Sequence, residues 1–220
     1  MIRSFIAALL ILGSSFVSIA HAQDSPDALN IRASRLIDST MASVNIRAER
    51  FNEELTRVNA IKPLDAASLT KEVIPGNMEK VKDFLSYLDL YRSLCAKQRQ
   101  EVVDSATALK SKMPSRYKET FLKEFIDAYD LDQSSFIKYT QALTKVYTNI
   151  NLALAFVEQS HVTVKDNKLQ FSDKKEYEEY SALITNIEKS NKKVINASAT
   201  SQRATIDASA MMQKAYGEIK

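Results

Sequence analysis

Glycine, cysteine and histidine are scarce in this chain, and tryptophan is missing. Among 220 residues there are three glycines, one cysteine, two histidines and no tryptophan. Each shortage excludes something. No glycine-rich run is available to cradle a phosphate with backbone N–H groups. Cys95 stands alone, so no intramolecular disulfide can form. His21 and His161 are the only imidazoles, which leaves no His/Cys metal cluster and no Ser-His or Cys-His pair with an obvious partner. No catalytic, cofactor-binding or metal-ligating residue is therefore assigned, and a non-enzymatic protein without a cofactor is expected. Charge of one sign is also missing: 30 basic and 27 acidic residues are intermixed, for a net charge of +3. A nucleic-acid footprint needs a sustained basic face, and none is evident. Beyond the N-terminus, no segment approaches the ~20 apolar residues of a membrane-spanning helix.

What is present begins with an export signature. Arg3 supplies a positive start, Phe5 to Leu12 an apolar core, and Ala20-His21-Ala22 a small-x-small cleavage site. Cleavage between Ala22 and Gln23 is expected. Residues 1–22 then form a signal peptide, His21 leaves with it, and 23–220 form one helical domain with no transmembrane segment. The predicted destination is the periplasm or the exterior.

The remaining pattern is written in sevens. Ile37, Met41, Val44, Ala48, Phe51, Leu55 and Val58 step by four and three along a first helix, from about Asp27. A connector with Pro63, Pro75 and Gly76 follows, containing a possible short helix from Asp65 to Glu72. The second helix is expected from Asn77 as N-cap, with Val81, Leu88, Cys95, Val102 and Leu109 inward, ending at Pro114. Cys95 thereby becomes a small core residue. The third helix, capped by Ser115, carries Leu122, Tyr129, Phe136, Leu143, Ile150 and Val157 to about Ser160, with Asp130 to Ser135 its weakest stretch. Asp173 and Glu176 have capping-box spacing at the head of the fourth, whose seam is Tyr180, Ile184, Ile187 and Val194 before it thins into alanines.

Between the last two helices HVTVKDNKLQFSD, residues 161–173, switches to a period of two. Val162 and Val164 are expected in one strand, Leu169 and Phe171 in the other. The fold class predicted is all-α: an elongated up-down-up-down four-helix bundle with a small β-hairpin between the last two helices. A lone hairpin is marginal in water, so its apolar face needs cover. The connector around Leu64, Leu69, Val73 and Ile74 lies at the same end of such a bundle.

Two sites follow. Val162, Val164, Leu169 and Phe171 mark the elaborated end as a candidate interaction surface. Folding the helices about Pro114 and Asp166 also brings Arg92, Arg99 and Arg203 towards Asp130 and Asp132, a candidate polar layer that would bind an anion or set helix register. The competing reading is a set of partly exposed ion pairs worth ~0–1 kcal/mol each. Tyr87, Tyr91, Tyr139, Tyr147, Tyr177 and Tyr180 fit a core boundary, ring inward and hydroxyl outward. His161 is placed at the end of the third helix, where charge would favour the dipole. The function expected is a scaffold or interaction module for a protein partner in the cell envelope. A small-molecule-binding or sensory bundle and a holdase-like chaperone are the alternatives.

Overall fold

The computed structural model describes residues 25–59, 64–113, 121–166 and 168–219. The export signature, the Ala22–Gln23 junction and the Pro114-Ser115 turn lie outside the described residues. Helix α1 spans Pro26–Asn59, α2 Ile74–Lys112 and α3 Asp127–Gln159. Strands β1 (Thr163–Lys165) and β2 (Lys168–Gln170) follow, then α4, Lys174–Ile219.

Local chemistry explains most boundaries. The Ser25 hydroxyl accepts the Ala28 N–H at 3.3 Å, and Pro26 occupies the first helical position, where no N–H is needed. α2 begins earlier than expected: Pro75 lies in its first turn, and Asn77 is a buried helical residue rather than the N-cap. Its side-chain amide donates to the Ser68 carbonyl at 3.0 Å, tying the helix to the connector. Among the described residues of the connector, a 3-10 turn at Ala66–Ser68 stands where a short helix from Asp65 to Glu72 was a possibility. At the head of α4, Asp173 accepts the Glu176 N–H at 2.9 Å. Glu176 does not complete the reciprocal capping box but reaches to Ser172 and His161.

α3 runs unbroken through Asp130 to Ser135. The irregularity lies upstream, in a π-helical turn at Leu122–Ile126, where the wider i→i+5 hydrogen bonding alters the phase of the stripe. Phe121 and Phe125 are both fully buried there and stack at 5.3 Å.

Contacts between helices give their directions. Arg99 meets Asp130 and Arg92 meets Thr144, so α2 and α3 are antiparallel. Asn149 meets Ser190 and Asp132 meets Thr205, so α3 and α4 are too. α1 runs parallel to α3, since Arg47 bonds Gln133 and Tyr147 bonds Asn59. This is the expected up-down-up-down bundle. The 46 residues of α4 make a helix about 69 Å long.

The interior divides into two apolar clusters. The one nearer the hairpin is built on Phe51, Leu88, Cys95, Leu154 and Val157, with Phe51 edge-on to Phe136 at 4.8 Å. The other contains Ile37, Ala106, Phe121, Phe125 and Tyr129, and α4 enters it through Ala208, Met212 and Ala215. The alanine-rich end of α4 therefore packs closely, its small side chains admitting the large aromatics opposite.

Candidate functional site

The hairpin is short and firmly seated. Val164 pairs with Leu169, flanked by Thr163↔Gln170 and Lys165↔Lys168. Val162 and Phe171 lie just outside the strands, but all four apolar residues join the upper cluster, Val162 at 3% exposure. Leu69 and Ile74 are buried in that cluster and Leu64 packs on it, which is the cover expected from the connector. Val73 is the exception, being exposed. Asp166 turns the chain with a φ of 49°, a left-handed conformation that Asp tolerates better than most residues.

Glu176 fastens the base of the hairpin. Its carboxylate accepts the Ser172 hydroxyl at 2.7 Å, and the His161 and Ser172 backbone N–H groups at 3.1 Å each. These bonds, led by the Ser172 hydroxyl, hold its carboxyl down to about 2. The imidazole of His161 is exposed, with Nδ1 3.6 Å from Glu176; the backbone of His161 makes the structural bond. Phe171 packs against Tyr180 at 5.4 Å and Tyr177 at 5.5 Å. Thr163, Lys165, Lys168 and Gln170 remain exposed, and the two-stranded sheet leaves one edge of each strand unpaired within it.

A polar layer exists, but of the five residues proposed for it only Asp132 belongs to it. Arg99 and Asp130 do pair, through two bonds of 2.7 Å, yet their side chains are 47% and 35% exposed. Solvent screening reduces such a pair to ~0–1 kcal/mol. Arg92 bonds Thr144 at 2.9 Å and its own-helix neighbour Asp89. Arg203 is exposed. Asp132 alone of the five is buried, and its carboxylate accepts from Thr205 at 2.7 Å and Gln133 at 2.8 Å rather than from an arginine.

The layer is organised by Arg47, a residue absent from the expected set. Its guanidinium donates to Gln98 on α2 and to Gln133 on α3 at 3.2 Å. Gln133 passes the chain on to Asp132, and Asp132 to Thr205 on α4, so all four helices are stitched at one level between the two apolar clusters. Two buried atoms in this region, Arg47 Nε and the Tyr129 hydroxyl, have no hydrogen-bond partner. Burial pushes the Tyr129 phenol and the Cys95 thiol up, and the Arg47 charge opposes both shifts. A signal was available in the sequence. Arg47 lies three residues after Val44 and four before Phe51, and Gln98 has the same relation to Cys95 and Val102. Both stand on companion positions of the seams that pass through Ala48 on α1 and Cys95 on α2.

Of the six tyrosines expected at the core boundary, Tyr87 and Tyr139 are half-buried, whereas Tyr91, Tyr147 and Tyr180 are buried in the core. Tyr147 donates to Asn59 at 2.5 Å, and burial raises the phenols of Tyr87 and Tyr147 to about 12. Tyr177 is the exposed member. Among the described residues no three His, Cys, Asp or Glu side chains form a metal-binding group, and no helix is long and apolar enough to cross a membrane. Comparison with protein-family models, curated proteins and solved structures gives no match.

Proposed function

We propose that this protein is an exported, non-enzymatic scaffold that presents its hairpin end to a protein partner in the cell envelope. The observation that carries the reading is the seating of the hairpin. Its inward face is held by the core and its base by three hydrogen bonds to Glu176, whereas its tip and outward side chains face solvent. A rigid, exposed strand pair has little ordering entropy left to lose on binding. Its unpaired edges offer backbone groups for strand addition. Export rests on the Ala20-His21-Ala22 signature, and mature protein beginning at Gln23 is the expected result of N-terminal mass spectrometry.

The binding test separates recognition from folding. A photo-crosslinking side chain at Lys168 should yield one discrete adduct in intact cells, and the same group at Lys97 on α2 should yield none. Replacing residues 165–168 with a Gly-Ser turn should abolish capture, reported from a crosslinker at Gln170, and leave the urea midpoint nearly unchanged. Phe171→Ala, by contrast, should cost up to about 3 kcal/mol because the partly buried ring leaves the core edge. An undiminished adduct after the tip replacement would place the partner elsewhere on the rod.

A further inference from the structure

Four surface lysines of this bundle sit beside a carboxylate. Lys97 lies near Glu101, Lys174 near Glu178, Lys175 near Glu179 and Lys214 near Glu124. The middle of the α3–α4 face has no carboxylate within reach along either helix. Residues 133–157 carry Lys138 and Lys145 and no acidic residue; residues 189–206 carry Lys189, Lys192, Lys193 and Arg203, again with none. Antiparallel packing brings Lys138, Lys145 and Lys193 to one open hollow of about 120 Å³, completed by Gln141, Ala142 and Ser190. No carboxylate lines it. None of the three lysines is ion-paired among the described residues.

The Ser190 hydroxyl is set as a donor. Asn149 Nδ2 donates to Ser190 Oγ at 2.9 Å, so the Ser190 oxygen is engaged as an acceptor and its proton is left to point elsewhere. Ammonium groups carry donors and no acceptor. Three of them, the Ser190 hydroxyl and the Gln141 amide line one hollow without a carboxylate, with Lys145, Lys193 and Ser190 nearest in level, a donor set suited to an anion. The mutual repulsion of three unneutralised cations is relieved when such a group binds, and lysine acts as a point-charge ligand for phosphate.

We propose that the α3–α4 groove binds a phosphate-type tetrahedral oxyanion through Lys138, Lys145, Lys193, Gln141 and Ser190. The site lies on the flank of the rod and is independent of the hairpin's role. The anion has two natural sources, a soluble phosphate compound or a phospholipid headgroup, and the chemistry of the groove is the same for both.

The test titrates the intact mature protein with inorganic phosphate, at ionic strength held constant with chloride, and follows backbone amide resonances. Saturable shifts confined to residues near 138–145 and 190–193 are expected. Lys145→Gln and Lys193→Gln should each weaken binding about tenfold, as for loss of one charge-assisted contact. Lys97→Gln, on a surface pair of α2, should leave binding unchanged. All three side chains are exposed, so unfolding midpoints should stay put. Vesicles of phosphatidylglycerol in phosphatidylcholine then separate the sources. Co-sedimentation that phosphate competes away and Lys145→Gln weakens assigns the lipid, whereas phosphate binding without vesicle binding assigns a soluble compound. Shifts that chloride reproduces, or an equal loss in Lys97→Gln, would overturn the proposal.

Discussion

Replacing Arg47 with methionine tests the internal layer most directly. The guanidinium bonds Gln98 and Gln133, and methionine keeps much of the aliphatic stem while deleting both bonds. The two partners fare differently. Gln98 is half-buried and recovers its bond from water. Gln133 is 5% exposed, so its carbonyl oxygen is left dry, at a cost of about 1–3 kcal/mol. Asp132, 8% exposed, keeps its bonds from Thr205 and Gln133 but loses the cation of its layer. Against this, the unpartnered Arg47 Nε no longer has to be buried, which returns part of the loss. The net expectation is a destabilisation of about 1–3 kcal/mol, or roughly 2–4 °C in Tm per kcal/mol for a domain of this size. Urea unfolding followed by circular dichroism at 222 nm, with an unchanged m value, reads it. A companion variant makes the reasoning sharper. Arg47→Met, Gln98→Leu, Asp132→Leu and Gln133→Leu together remove the bonded chain at once, leaving Thr205, which is exposed enough to bond water, and the largely apolar layer is expected to be neutral or more stable than the native one. A loss under about 0.5 kcal/mol in the single variant would place Arg47 in solvent. A quadruple variant less stable than the native protein would show that the layer contributes net stability.

The buried Cys95 thiol, raised by desolvation, should react slowly with a thiol reagent in the native state and rapidly in denaturant; equal rates would place it at the surface. Glu176 gives a pH dependence with a definite sign. Its folded carboxyl is depressed from 4.5 to about 2, so its stabilising contribution is present above about pH 4.5 and fades as pH falls towards 2. A carboxyl NMR titration of Glu176 should show that low midpoint, a midpoint near 4.5 would contradict the hydrogen-bond assignment, and Glu176→Gln should remove this component of the acid sensitivity. Asp130→Ala should cost under about 1 kcal/mol, because the Arg99 pair is solvent-screened; a larger loss in urea unfolding would mean that the pair is effectively buried.

The sequence by itself determined the four helices, their order, the hairpin and the burial of Cys95. These depend on local periodicity and on capping and turn chemistry that act within a few residues. The step from period 3.5 to period two at Val162 is such a signal, and so is Asp173 three residues before Glu176. Only the tertiary structure decided which polar residues meet. A seam has two companion positions per turn of the pattern; Arg47 and Ala48 are both half-buried, and what Arg47 meets depends on the helices packed against α1. Arg47 enters because Gln98 and Gln133 arrive at its level from two other helices. Arg203 turns outward while its near neighbour Thr205 reaches Asp132, a difference of about 200° around one helix. The convergence of Lys138, Lys145 and Lys193 was hidden for the same reason. Residues far apart along the chain become one charged hollow only after α3 and α4 take their antiparallel register.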